Sequence, residues 1–202
     1  MEKSCYNQPM LSRDFQKLIE TDTVAAARAL LGMQLILNGQ KLGRIVETEA
    51  YLGSQDSACH SAGGRRSPKN ESMYLPAGHW YVYQIYGYQM LNLVTKAENV
   101  AEAVLIRALE LPDGRLLANG PGKLTKYAGI DKRFDGQSLA TSSLQLAHDL
   151  TPNQIASRSR IGVTCTDAWR EEPLGFYVAG NRHVSKVPKR GLLDDEATWK
   201  KE

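Results

Sequence analysis

Cysteine is scarce in this chain of 202 residues: Cys5, Cys59 and Cys165 are odd in number and widely spaced. They make no CxxC pair and no Cys/His set with zinc spacing. That argues against a disulfide framework or a structural zinc site and predicts reduced thiols in a cytoplasmic protein. Long apolar runs are lacking as well, so no segment approaches the roughly 20 residues of a membrane-spanning helix, and no signal-peptide pattern opens the chain. Neither sign of charge dominates, because 25 Lys plus Arg against 22 Asp plus Glu leave only +3. An excess that small permits a polyanion partner without demonstrating one. With no repeat and no low-complexity linker, the pattern predicts one soluble domain over 1–202, residues 1–10 a loose leader and 191–202 a frayed tail.

What is present is a succession of short periodic segments. Leu11, Phe15, Leu18 and Ile19 follow helical spacing behind a capping Ser12, and Asp22 or Thr23 starts a second helix that runs to Leu31 and is closed by Gly32. Two strand-like runs, 33–37 and 40–49, flank Asn38-Gly39, the strongest short hairpin signal because both turn positions need positive φ. Ser54 to His60 suits a short helix capped by Ser54. Strands are expected over 80–86 and 88–95 with a hairpin tip at Tyr86-Gly87, and again over 103–109, 160–163 and 175–179. Residues 138–155 read as irregular to short-helical.

The stretch from Arg44 to His60 organises the chemistry. Strand alternation puts Glu47, Glu49 and Tyr51 on one face and Val46, Thr48 and Ala50 on the other. A carboxylate two residues from an aromatic ring at a strand end suits a pocket for a flat, hydrolysable ligand. Arg107 stands alone in the apolar run 103–109, so it either pairs with Glu47 or Glu49 or faces solvent from an edge strand. The segment Ala62 to Asn70, with Arg65 and Arg66, is a solvated loop or a phosphate contact. Pro121 and Lys123 open either a plain capped helix or one whose N-terminal amides hold an anion. Tyr81 reads first as sheet core, whereas Tyr86, beside glycine at a hairpin tip, is available as a wedge.

Six motifs in order resemble the alkyladenine (3-methyladenine) DNA glycosylases of the AAG/MPG type: GRIVETEAYLG (43–53), ACHS (58–61), GGR (63–65), YVYQIYG (81–87), LIRALE (105–110) and NGPGKL (119–124). The resemblance implies an α+β fold, a single mixed domain with a curved antiparallel β-sheet, surrounding helices and a protruding β-hairpin. It also implies a monomeric enzyme that takes a damaged purine out of double-stranded DNA and hydrolyses its N-glycosidic bond without metal or cofactor. On that resemblance Glu49 activates the water and Arg107 helps to hold it. Tyr51 forms one wall of the base pocket, His60 and Tyr83 the other, Tyr81 orients the base, and Asn92 crowds the exocyclic amine of guanine. Tyr86 enters the DNA stack, and Gly87, Arg65, Arg66 and Lys123 meet the backbone. The competing reading is a non-catalytic module that holds damaged or single-stranded DNA by stacking and charge.

Overall fold

The computed structural model describes residues 11–187 and 190–201, so the leader expected over 1–10 lies outside the described residues. Helix α1 (Arg13–Thr21) begins where Ser12 Oγ accepts from the Phe15 amide at 3.2 Å. Helix α2 (Thr23–Ala29) begins where the Asp22 carboxylate accepts from the Ala25 amide at 2.9 Å. Each cap satisfies a first-turn N–H that has no partner inside its helix. Strands β1 (Gln34–Leu37) and β2 (Gln40–Tyr51) meet at Asn38-Gly39, whose φ values of 51° and 78° are the left-handed pair that this turn demands.

Strands β3 (Trp80–Ile85), β4 (Tyr88–Thr95) and β5 (Glu102–Glu110) follow, then helix α3 (Pro121–Ala128). Three short strands complete the fold: β6 (Leu144–Ala147), β7 (Ile155–Arg158) and β8 (Gly175–Val178). Every pairing is antiparallel, in the order β3-β4-β5-β2-β1-β6, with β8 pairing both β2 and β7. The sheet curls into a half-barrel, an α+β arrangement in one domain. Strand β2 is long enough to pair β5 along one side while β1 and then β8 share the other, which makes it the central beam.

The pleat divides the residues cleanly. Val46 and Ala50 of β2, Trp80 and Val82 of β3, Leu91 and Leu93 of β4 and Val104 and Ile106 of β5 enter one large core with α1 and α2. Their neighbours Tyr81, Val94 and Ala103 pack a second, smaller cluster with Cys59, Met73 and Tyr74, against which Tyr51 and Tyr83 lie. Alternation of side chains across a strand is sufficient cause.

Four expectations need correction. Ser54 caps no helix: a single 3-10 turn spans Gly53–Gln55 without a side-chain cap, and Asp56 ties the loop by accepting from the Leu52 and Ala58 amides, both at 3.0 Å. The stretch 138–155 is not helical, because β6 lies within it and β7 begins at its end. Residues 160–163 form no strand but a turn after β7. The tail is not frayed throughout: a 3-10 turn spans Asp195–Thr198, and buried Trp199 donates its indole N–H to Glu110 at 3.1 Å. The short strands and the docked Trp199 depend on partners distant in sequence, which local periodicity does not register.

Candidate active site

Glu49 sits near the end of β2, buried, with both carboxylate oxygens engaged. Oε1 accepts from the Ile161 amide at 2.6 Å, and Oε2 accepts from Arg107 Nη1 at 3.1 Å and from the Tyr51 hydroxyl at 3.0 Å. Burial pushes its pKa up, and Arg107, the Ile161 N–H and the Tyr51 hydroxyl oppose the rise. Desolvation disfavours the charged form, whereas cations and donors favour it, so the site holds a carboxylate readier to take a proton than an exposed one. The pKa of the Tyr51 hydroxyl is raised too: burial and the neighbouring Glu49 charge hold it protonated.

Glu47 does a different job. Its oxygens accept from Arg107 Nε at 2.9 Å and from the Ser185 amide and hydroxyl at 2.8 and 2.9 Å, and Arg158 Nη2 closes on it as well. Arg107 therefore bridges the two carboxylates from β5, and the edge-strand alternative for it is excluded: it is buried. Burial opposes its charge, yet Glu49 and Glu47 outweigh that and raise its pKa. Glu47 spends its acceptors on structure; Glu49 is held by fewer groups and lies nearer the aromatic side chains.

Those aromatics form the wall of a cleft of about 930 Å³. The cleft takes in His60, Tyr81 and Tyr83 on one side and the loop from Arg65 to Asn70 on the other. His60 and Tyr83 meet edge to face with ring centroids 4.4 Å apart, and His60 Nδ1 shares a hydrogen bond of 2.8 Å with the Tyr81 hydroxyl. Desolvation and the Arg65 charge lower the His60 pKa, which favours the neutral ring. Burial and Glu49 push the Tyr83 hydroxyl up to about 12. Glu49 and Tyr51 do not line this cleft; they stand behind Tyr83, with the Tyr51 hydroxyl drawn onto Glu49.

Strand register explains the grouping. Tyr81 pairs Asn92, Asn92 pairs Leu105 and Leu105 pairs Glu49, so these residues form one row across four strands on one face. Asn92 is buried in that row, its amide nitrogen donating to the Tyr81 and Met90 carbonyls at 3.1 and 3.2 Å. The hairpin tip stands apart from the site: Tyr86 is 91% exposed, in the left-handed region at φ 49°, beside Gly87 at 82°. A bulky residue rarely holds a positive φ, so the tip is strained around an aromatic ring that nothing covers. Among the basic candidates, Arg66 pairs with Glu71 at 2.5 Å and lies over Tyr74, Arg65 Nε donates to the Ala62 carbonyl, and Lys123 Nζ donates to Asn119 at 3.0 Å. Among the described residues no three His, Cys, Asp or Glu side chains converge on a possible metal site.

A buried carboxylate behind an aromatic cleft suits bond hydrolysis on a flat ligand but does not by itself say which bond. Residues 17–182 match the family model described as Methylpurine-DNA glycosylase (MPG). The chain belongs to that family. Its relatives include proteins named "Putative 3-methyladenine DNA glycosylase" from three bacteria. The one from Lactiplantibacillus plantarum is 39% identical, covering 88% of this chain and 93% of its own. Those from Staphylococcus epidermidis and Bdellovibrio bacteriovorus are 38% and 42% identical, covering 95% and 85% of this chain and 100% and 97% of theirs. As a methylpurine-DNA glycosylase the protein is a hydrolase of N-glycosyl bonds in DNA repair.

Several groups around the candidate site escaped sequence reasoning: Arg158 and Ser185 on Glu47, the Ile161 amide on Glu49, and the Asn70 side chain. Buried Asn70 donates to the carbonyls of His60 at 3.3 Å and Arg65 at 2.9 Å and accepts from the Ser67 amide at 2.7 Å, which pins the basic loop to the His60 turn. The signal available for it was an asparagine shortly after an Arg-Arg-Ser-Pro run, where Asx side chains commonly close turns.

Proposed function

We propose that the protein swings an alkylated or deaminated purine out of duplex DNA and hydrolyses its N-glycosidic bond with a water activated by Glu49. One observation carries this reading: a buried carboxylate of raised pKa, anchored by Arg107, in register with an aromatic wall across the same sheet face. A base inside the duplex is out of reach of any such group, so the nucleotide must be extruded at a cost of a few kcal/mol. Damaged bases pair and stack less well, so they cost less to extrude, and that difference supplies part of the selectivity.

Tyr86 stacks into the vacated space. His60 and Tyr83 flank the flipped ring from the cleft wall, Tyr51 closes the pocket beside Glu49 once its hydroxyl is moved aside, and a cationic alkylated purine gains about 0.5–2 kcal/mol from an aromatic face. Asn92 in the floor crowds the amine of a normal guanine. Tyr81 holds the neutral His60, leaving the far nitrogen of the imidazole for the base. With the Tyr51 hydroxyl moved aside, the Glu49 carboxylate takes a proton from water as C1′ becomes oxocarbenium-like, while Arg107 holds that water. The product is an abasic site with the strand intact. Of the lysines on the cleft wall, Lys132 spends its ammonium on Asp135 at 2.7 Å and the Val82 carbonyl at 2.8 Å, and Lys69 lies on the exposed loop. Arg65, Arg66, Gly87 and Lys123 meet the sugar–phosphate backbone, and the enzyme acts as a monomer on double-stranded DNA in the cytoplasm, with no cofactor.

Duplexes each carrying one lesion (3-methyladenine, 7-methylguanine, hypoxanthine or etheno-adenine) test this directly. Alkali-labile breaks should appear at one or more lesions, with no break before alkali; intact strands in every duplex would instead leave a DNA-binding module. Tyr86→Ala should leave the unfolding free energy within about 0.5 kcal/mol, as surface changes do. It should weaken lesion-duplex binding by roughly 5- to 100-fold, the equivalent of the 1–3 kcal/mol stacking of one ring. Unchanged affinity in a band-shift titration would remove the wedge role. Glu49 also sets the pH response: because its pKa is raised, the acidic limb of base release should lie above the ordinary glutamate value of 4.5.

A further inference from the structure

Behind Tyr51 lies an ion pair that touches neither the proposed water nor the base. Arg160 and Asp56 meet through two guanidinium nitrogens and both carboxylate oxygens, Nη2 to Oδ1 at 2.8 Å, and neither side chain has any exposed surface. Arg160 Nη1 also donates to the Ala50 carbonyl at 3.1 Å and Nη2 to the Trp169 carbonyl at 3.2 Å, while its Nε is buried with no partner. The guanidinium sits 4.7 Å from the centroid of the Tyr51 ring. The next residue along the chain is Ile161, whose amide holds Glu49 Oε1. Asp56 in turn fixes the Leu52 and Ala58 amides, so it shapes the turn that delivers His60.

We propose that Arg160, anchored by Asp56, is a positioning residue that seats the Tyr51 ring and the Ile161 amide against Glu49. The inference rests on the reading of Glu49 as the base. Burying two charges costs several kcal/mol in desolvation, and a well-packed apolar pair of the same volume is often neutral or better for stability. Stability is thus a weak reason for this pair, whereas geometry is a strong one. The planar fork fixes angle as well as distance, which the ammonium of lysine cannot do. Three elements that must meet within tenths of an ångström are joined through it: the end of β2, the turn after β7 and the loop carrying His60.

Glu49 is faced by Arg107 from β5, Tyr83 from β3, Glu47 and Tyr51 from β2, and the Ile161 amide with Arg160 from the turn. The Ile161 N–H favours the carboxylate form, so loosening it moves the proton affinity of Glu49 upward. Base release from a 7-methylguanine duplex isolates this effect, because the departing base already carries its positive charge and needs no acid.

The deciding measurement is the single-turnover rate against pH for wild type and for Arg160→Lys, which keeps the buried charge but loses the fork. The lysine variant should be about 10- to 100-fold slower, the usual loss for a misplacement near 1 Å. Its acidic limb should lie at higher pH, with affinity for an abasic-site duplex unchanged. Arg160→Gln should shift the limb further in the same direction; should it fail to fold because Asp56 loses its cation, the lysine variant decides alone. A limb that stays at the wild-type pH while the rate falls, or a lysine variant as fast as wild type, overturns the proposal. Absence of base release by the wild-type protein would overturn the assignment of Glu49 instead.

Discussion

Replacing Glu49 by glutamine should lower base release by at least about 10³-fold while the protein still binds lesion-containing duplexes. Proton transfer by a positioned base contributes roughly 10²–10⁴. Loss of the negative charge beside an oxocarbenium-like sugar adds to that, since fixed charges are worth most in a dry site. Glutamine keeps the length of the side chain and an oxygen for the Ile161 amide, so the pocket stays shaped. Stability should hold or rise, and the sign follows from linkage. The folded-state pKa of Glu49 is raised, so its favourable contribution is complete below the unfolded value and is lost as pH climbs through the folded one. Ionising this carboxylate therefore costs more in the native state than in the unfolded chain, and the amide removes that cost. Single-turnover kinetics beside a thermal melt at pH 7 checks both halves. Wild-type rates from the variant would end the role assigned to Glu49, and a large drop in melting temperature would recast it as structural.

Arg107→Gln should cost about 3–5 kcal/mol of stability at pH 7, the range for removing one partner from a buried ion pair. Arg107 is 5% exposed and is shared between Glu47 and Glu49, so its loss leaves two buried carboxylates to repel each other. Arg158 still reaches Glu47, but Glu49 loses the cation that most restrains its raised pKa. Acidification should therefore restore stability to the variant, because Glu49 can then take up a proton and enter the interior neutral. Urea unfolding at pH 7 and near pH 5 is the test: the deficit relative to wild type should shrink at the lower pH. A deficit independent of pH, or one below about 1 kcal/mol, would mean the bridge seen between the two carboxylates carries little energy.

Much of this architecture was legible from local chemistry. Asn38-Gly39 marks its hairpin because few residue pairs accept two positive φ angles, and the structure has both. The apolar alternation of β3, β4 and β5 sorts residues onto two faces, so Tyr81, Tyr83, Asn92 and Arg107 share a side by arithmetic of period two. The late segments were less legible. β6 and β7 span four residues each and draw their hydrogen bonds from β1 and β8, and four residues are too few to establish a period. Trp199 reads as a stray aromatic in a charged tail until Glu110 is placed beside it.

The choice between Glu47 and Glu49 separates the two sources of information most sharply. Alternation puts both on one face near Arg107, and the family motif favours the one before Ala50-Tyr51; neither says why the other is unsuitable. Only the folded chain brings Ser185, 138 residues away, and Arg158, 111 residues away, onto Glu47. Only the folded chain turns the Ile161 amide and the Arg160–Asp56 pair toward Glu49 and Tyr51. The sequence by itself determined strands β1 to β5 and β8, their faces, the exposed tip and the family, because each is written in neighbours a few residues apart. The tertiary structure alone decided which donors hold each carboxylate, four on Glu47 and three on Glu49, because that depends on distant segments whose spacing obeys no period.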